Sequence, residues 1–296
     1  MFDICCIGHL THDKVVTTKK EVHMAGGTSF YFSNAIRNMD LSYGLVTALG
    51  QDEIRFALAL REKGIDVQVL PSAHTVYFEN IYSGNLDHRT QRVLQIADPF
   101  TVEQLADVQA SVFHLGPLLA HDMPLELIQS LAARAKVSLD VQGFLRKVEN
   151  QQVLPIDWAD KHAALRHIHI LKANEHEMEA LTKQTDPRTG ARMLNDWGVQ
   201  EVIITLGSKG SIIYSEGIFY DIPAYVPAAV TDATGCGDTY MAGYLYQRHH
   251  GAGFQEAGEF AAAMASLKIE SSGPFSGTHE DILVLLKQGQ KVMPVA

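Results

Sequence analysis

The feature that most constrains this chain is a repeated alternation between short apolar runs and segments of helical spacing. Apolar runs fall at residues 4–7, 45–49, 111–115, 137–141, 169–172 and 201–206, and several are closed by a glycine or a polar residue. Between them lie stretches with apolar residues three and four apart: Phe30, Ala35 and Met39; the run FALALREKG; and residues 124–135, 156–165, 174–181 and 188–197. A further helix is expected near 102–107. A strand written as a continuous apolar run is buried on both faces, and consecutive strands joined through helices must lie parallel. The pattern predicts an α/β fold, a three-layer α/β/α sandwich around a mostly parallel sheet. Towards the end come a strand pair at 211–214 and 218–222, a helix at about 237–248 and an alanine-rich helix at 254–269.

Two regions break the alternation. Residues 15–24 read as exposed strand, and residues 75–97 contain VYFENIYSG and QRVLQIA joined by the polar turn GNLDHR, with no helix between them. They predict a small sheet outside the main core. At 296 residues, one large core carrying such an element is the expected organisation.

Composition narrows the partners. With 24 Lys+Arg against 34 Asp+Glu, the net charge of −10 argues against nucleic acid as a partner. Three cysteines make no disulfide framework, and Cys5-Cys6 sits in an apolar run, so no zinc site is expected. The sequence shows no basic leader followed by an apolar segment and no run of about 18 apolar residues, which predicts a cytoplasmic protein without a membrane span.

The most specific local signal is TDATGCGDTYMAGYLYQRH. Thr234, Gly235, Cys236 and Gly237 stand where helical spacing begins at Tyr240, Met241, Tyr244 and Leu245. First-turn amides of a helix lack internal partners, and small residues let an anion approach them. Asp238 falls in that turn, placed to take a proton from an alcohol. The run lacks the GK[ST] of a phosphate-binding loop of the Walker type and lies too far along the chain for a dinucleotide fingerprint. A second cluster follows the run HIHIL: Lys172, Asn174 and Glu177. The Asn174–Glu177 spacing is that of a helix capping box, and the same residues at a sheet's C-terminal edge suit Mg²⁺ held mainly through water. A third, Thr205-Leu206-Gly207-Ser208-Lys209-Gly210, is either a hairpin turn or a wall for phosphates.

These clusters, in this order and over nearly the whole chain, resemble the ribokinase-like, or PfkB, family of carbohydrate kinases. The D-T-x-G-x-G-D signature of that family has its counterpart in Asp232 to Asp238, with Ala233 in place of the threonine. The resemblance implies a single kinase unit over 1–296 with a β-lid at about 13–25 and 75–98, a lid that would also offer a homodimer surface. It implies ATP and Mg²⁺, leaves K⁺ open, and assigns Asp238 as base and Gly235, Cys236 and Gly237 as anion hole. Lys172, Asn174, Thr205, Gly207, Gly210 and Thr234 would meet the nucleotide, with Ala262 and Ser266 on its adenine side, and Asn174 and Glu177 would organise the metal. Asp13, Gly26 and Gly27 would meet the acceptor. Tyr31 stands where family members often carry a sugar-binding asparagine, so Tyr31 and Asn34 become candidates, as do the lid arginines Arg89 and Arg92. The aromatic segment GGTSFYFSNA is similar to that of myo-inositol kinase-like members. The expected function is transfer of the γ-phosphoryl group of ATP to a sugar or related polyol. A nucleoside kinase, or a non-catalytic nucleotide- or sugar-binding regulator, is the alternative.

Overall fold

Two sheets organise the structure, a computed structural model that describes residues 1–17, 21–82 and 89–293, with backbone only at Tyr82, Arg89 and Thr90. The strands are β1 (Phe2–Ile7), β2 (Thr11–Val16), β3 (Glu21–Gly26), β4 (Tyr43–Leu49), β5 (Asp66–Pro71), β6 (Val76–Tyr82), β7 (Arg89–Gln95), β8 (Ala110–Leu115), β9 (Lys136–Asp140), β10 (Arg146–Glu149), β11 (Gln152–Pro155), β12 (Ile170–Asn174), β13 (Glu201–Thr205), β14 (Ser211–Ser215), β15 (Ile218–Ile222), β16 (Ala224–Tyr225) and β17 (Lys291–Val292). The helices are α1 (Thr28–Ile36), α2 (Ile54–Glu62), α3 (Leu125–Ala132), α4 (Lys161–Leu165), α5 (Glu175–Thr182), α6 (Pro187–Asp196), α7 (Cys236–His249), α8 (Phe254–Ile269) and α9 (His279–Gln288).

The main sheet has nine strands in the order β15-β14-β13-β12-β9-β8-β1-β4-β5. From β13 to β5 every pairing is parallel, and β14 and β15 add an antiparallel edge. Alternation along β1 divides the core. Cys5 and Ile7 pack with Leu127, Leu165, Met178 and Leu194 of α3 to α6, while Ile4 and Cys6 pack with Phe32, Leu60, Met241 and Phe260 of α1, α2, α7 and α8. Both sheet faces are thereby covered by helices, which is why the strands carry so few polar residues.

The smaller sheet has six strands, ordered β10-β11-β7-β6-β2-β3. It has its own apolar patch of Val76, Phe78, Val93, Leu118 and Leu119, joined by Val148 and Val153. Those two valines belong to a hairpin where the sequence reading expected no strand. A helix was expected around 156–165, but α4 spans only Lys161–Leu165; the hairpin turns through Asn150 and Gln151 in left-handed conformation, β11 ends at Pro155, and residues 156–160 are loop and turn. Residues 102–107 likewise form one 3₁₀ turn, Glu103–Leu105, in which Leu105 alone is buried. Helix α9, closed by a reciprocal Thr278–Asp281 cap, was not anticipated. The turn GNLDHR lies outside the described residues apart from the backbone of Arg89. Among the described residues, no helix is long and apolar enough to cross a membrane.

Candidate active site

Strands β9, β12 and β13 run parallel and end side by side at Asp140, Asn174 and Thr205. At this C-terminal edge, where open α/β sheets bind ligands, a cleft of about 810 Å³ opens. Main-sheet residues, the loop before α7 and the smaller sheet all line it.

One wall is built from backbone. Gly235 caps α7 with φ 78°, a conformation costly for any residue with a Cβ, and a Cβ there would overlap the ring of Tyr31. Tyr31, almost fully buried on α1, is thus the surface on which the glycine turn rests, and both line the cleft. The Asp232 carboxylate accepts from the Thr234 amide at 2.9 Å, fixing the approach to that turn. Gly237 follows, and a Cβ added there would come within 3.1 Å of the Lys172 Nζ, so a lysine stands beside the helix start. Cys236 points away: its thiol faces the Ala265 carbonyl, and burial pushes it up to about 11, leaving an unreactive neutral group.

Asp238 stands at the junction of the two walls. Burial above all, and then the nearby Asp140 carboxylate, push its carboxyl up to about 7, although Lys172 and a hydrogen bond with Thr28 pull it down. The floor beneath is ionic. Lys172 Nζ donates to Asp140 Oδ2 at 2.9 Å and lies 3.8 Å from Glu177 Oε2; burial disfavours its charge, yet Asp140 and then Glu177 hold it above the ordinary lysine range. Asp140, despite burial, is held below the usual carboxylate range by Lys172. His114, behind this floor, is pushed down to about 4 by burial and stacks on Phe32, a neutral core histidine.

Asn174 and Glu177 do form the capping box. Asn174 Oδ1 accepts from the Glu177 amide and Glu177 Oε2 from the Asn174 amide, each at 2.8 Å, while Glu177 Oε1 accepts from Gln142 Nε2 at 3.3 Å. With both carboxylate oxygens engaged, this donor set fits a magnesium ion that keeps its waters and takes its direct ligands from phosphates. Among the described residues no group of three His, Cys, Asp or Glu forms a metal cage.

The opposite wall is built from side chains. Thr11 and Asp13 of β2, Asn80 of β6, Gln91 of β7, Gln142 and Arg146 face the cleft with Val15, Val22, Met24 and Phe78. Thr11 donates to Asp13 Oδ1 at 2.6 Å, and Gln91 Nε2 to Asn80 Oδ1 at 3.0 Å. Gly26 is required here because a Cβ would overlap the Asp13 carboxylate, and Gly27 caps α1.

Of the residues expected from sequence, Asp13, Gly27, Tyr31, Lys172, Asn174, Thr205, Thr234, Gly235, Gly237 and Asp238 line the cleft. Others are placed elsewhere. Asn34 is buried behind α1, its amide donating to the Phe30 carbonyl and its oxygen accepting from Lys63, so it does not share the cleft with Tyr31. Arg92 alternates to the outer face of β7, where it pairs with Glu79; the side chain of Arg89 lies outside the described residues. Gly207 and Gly210 shape the turn between β13 and β14 without reaching the cleft, and Ala262 and Ser266 pack inside α8, the Ser266 hydroxyl donating to the Tyr225 carbonyl. Sequence reasoning missed Asp140, Gln142, Asn80, Gln91 and Arg146. An aspartate closing the apolar run VSLD marked the first, and the alternation KVENQQVLP marked the hairpin bearing Arg146.

A sandwich whose parallel sheet carries a polar cleft under a smaller sheet defines the ribokinase-like class. The chain belongs to the pfkB family of carbohydrate kinases, whose sequence profile matches residues 1–281. It is 27% identical over 293 residues to a cytidine kinase of Thermococcus kodakarensis, covering 94% of this chain and all of that one. It is 23% identical over 279 residues to an inositol 3-kinase of Arabidopsis thaliana, covering 91% of this chain and 74% of that one. A solved pyrophosphate-dependent kinase of the ribokinase family, in complex with a pyrophosphate analogue and myo-inositol, superposes with a TM-score of 0.83 at 28% identity, covering 95% of this chain and 99% of that one.

Proposed function

We propose that this protein is an ATP-dependent kinase that transfers the γ-phosphoryl group to a hydroxyl of a sugar or related polyol. The observation that carries the reading is the position of Asp238: a crowded carboxyl in the first turn of α7, facing a wall of hydrogen-bonding side chains. In this mechanism the triphosphate lies against the glycine turn, with Lys172 and the α7 amides stabilising charge. Asp13 accepts from acceptor hydroxyls, and Asn80, Gln91 and Arg146 complete the site. The attacking hydroxyl gives its proton to Asp238 as its oxygen bonds to the γ-phosphorus, and the bond from that phosphorus to the bridging oxygen breaks to release ADP. Asn174 and Glu177 are the residues that would hold a magnesium ion, through water, and the ion would supply neutralisation of phosphate charge. The smaller sheet excludes water, which would otherwise compete as acceptor.

The acceptor wall favours a polyol because its polar groups come from several directions and match a ring bearing many hydroxyls. The likeness to a pyrophosphate-dependent relative supports one second reading, in which pyrophosphate replaces ATP at the same wall. The test is a two-way panel: ATP or pyrophosphate against pentoses, hexoses, inositols and nucleosides, with ADP or phosphate release measured and the product's phosphate located. Acceptor-dependent turnover with a sugar or inositol and ATP is expected. Turnover with nucleosides alone would overturn the acceptor class, and turnover with pyrophosphate alone would overturn the donor.

A further inference from the structure

Lys268 is the one lysine whose side chain is fully buried among the described residues, and the mechanism above does not use it. It leaves the last turn of α8 and points under the loop that precedes α7. Its Nζ donates to the Asp232 carbonyl at 2.8 Å and to the Ser271 carbonyl at 3.4 Å, and lies 3.6 Å from Asp232 Oδ2. Two loops meet there. The amides of Thr231 and Asp232 donate to the Ile269 carbonyl at 2.8 and 3.2 Å, and Thr231 Oγ1 donates to the Glu270 carbonyl at 2.9 Å. Thr231 to Thr234 on one loop, and Ser272 and Gly273 on the other, are cleft-lining residues. The buried nitrogen is therefore directly beneath the wall against which phosphates are proposed to lie.

Carbonyl and carboxylate oxygens turned inward on one point need a positive centre, because buried acceptors without a partner carry a full desolvation cost. A monovalent cation and a primary ammonium are interchangeable solutions to that problem, being singly charged, similar in size and content with oxygen neighbours. Here the chain supplies its own. The relay from this point to the reacting phosphate is short: Lys268 faces the Asp232 carboxylate, whose other oxygen accepts from the Thr234 amide, and Gly235 to Gly237 follow at once. Burial alone would raise the Asp232 carboxyl, yet the Thr234 hydrogen bonds and Lys268 keep it below the usual range.

We propose that Lys268 is a positioning residue that serves as a built-in monovalent cation, so that this enzyme holds its phosphate-binding turn without potassium. The proposal rests on the kinase reading for its effect on rate. The place is already filled, so the residues around Asp232 do not fit a bound K⁺, and the open question of potassium dependence is answered by the side chain standing there.

The experiment compares the native chain, Lys268→Ala and Lys268→Met in buffers whose monovalent cation is tetramethylammonium, potassium or ammonium. Two quantities are read: kcat at saturating donor and acceptor, and the midpoint of thermal unfolding. The native chain is expected to show the same rate in all three buffers. Lys268→Ala, which opens space, is expected to lose about 10- to 100-fold in kcat. About 100 mM ammonium or potassium should restore much of that loss and raise its unfolding midpoint, as a ligand that binds only the folded state must. Lys268→Met fills the space without a charge and is expected to lose rate that no cation restores. A native rate that rises severalfold with potassium would overturn the proposal, and so would a Lys268→Ala deficit that ignores the cation in both readouts. If the native chain turns over none of the acceptors, the kinase reading fails, while the unfolding midpoints still decide whether Lys268 occupies a cation position.

Discussion

The two walls of the cleft are made in different ways. The wall proposed to face the phosphates is backbone: a left-handed glycine, the start of a long helix and one lysine, nearly all from residues 231 to 238. The wall proposed to face the acceptor is side chains drawn from β2, β6, β7 and the segment running from Gln142 to Arg146. Backbone geometry tolerates almost no substitution, so on the proposed reading the first wall fixes the reaction. Side chains on alternate strand positions exchange freely, so the second can change its acceptor while the fold is kept.

The comparison breaks first at Asp238. Replacing it by Asn should lower acceptor-dependent turnover by about 10²- to 10⁴-fold, with donor binding by calorimetry and the far-ultraviolet circular dichroism spectrum retained. Gly235→Ala should cost about 10²-fold in kcat and also lower the unfolding midpoint, since it adds both an unfavourable φ and an overlap with Tyr31. Lys172→Met leaves Asp140 buried without its partner and should destabilise the chain by about 3–5 kcal/mol in urea unfolding. On the other wall, Asp13→Asn should raise the acceptor KM by about tenfold or more, roughly 1.4 kcal/mol, while the donor KM stays fixed. A parallel rise in both KM values would show that the walls are not separable. Arg92→Ala, on the outer face of the same strand as Gln91, should change neither constant by more than about twofold.

The same difference explains what could be read in the sequence. The glycine turn was legible because its residues are adjacent in the chain, so that T-G-C-G-D places a glycine turn, a helix start and a cleft-lining carboxylate in one stretch. The Asn174–Glu177 spacing was legible as a cap, and it is one. The side-chain wall was not legible, because Asn80, Gln91 and Arg146 come together only when β6 pairs with β7 and β11 joins β7 to β10, and register is a property of the folded sheet. Arg92 illustrates the limit: one residue from Gln91, it alternates to the far side. Asn34 was misplaced for the same reason in a helix, since three residues from Tyr31 still allowed a hydrogen bond to Lys63 behind α1 to claim it. Lys268 sits in an alanine-rich helix read only for its small residues, and nothing in spacing showed that its amine turns inward.

Asp238 joins the walls, and its ionisation is the most direct check on the account. Its carboxyl is raised to about 7, so the free enzyme holds it protonated below that pH and ionised above. In its proposed role as base it works only when ionised. The same shift means that folding favours its proton: stability falls as pH rises from the ordinary carboxylate range to about 7, and Asp238→Asn removes that loss. The deciding measurement is kcat/KM for the acceptor against pH from about 5 to 9 at saturating donor, for the native chain and for Asp238→Asn. The account predicts a native profile that rises with unit slope to a bend near 7, and a residual activity in the variant without that bend. A native profile flat through this range, or the same bend in both proteins, would contradict it.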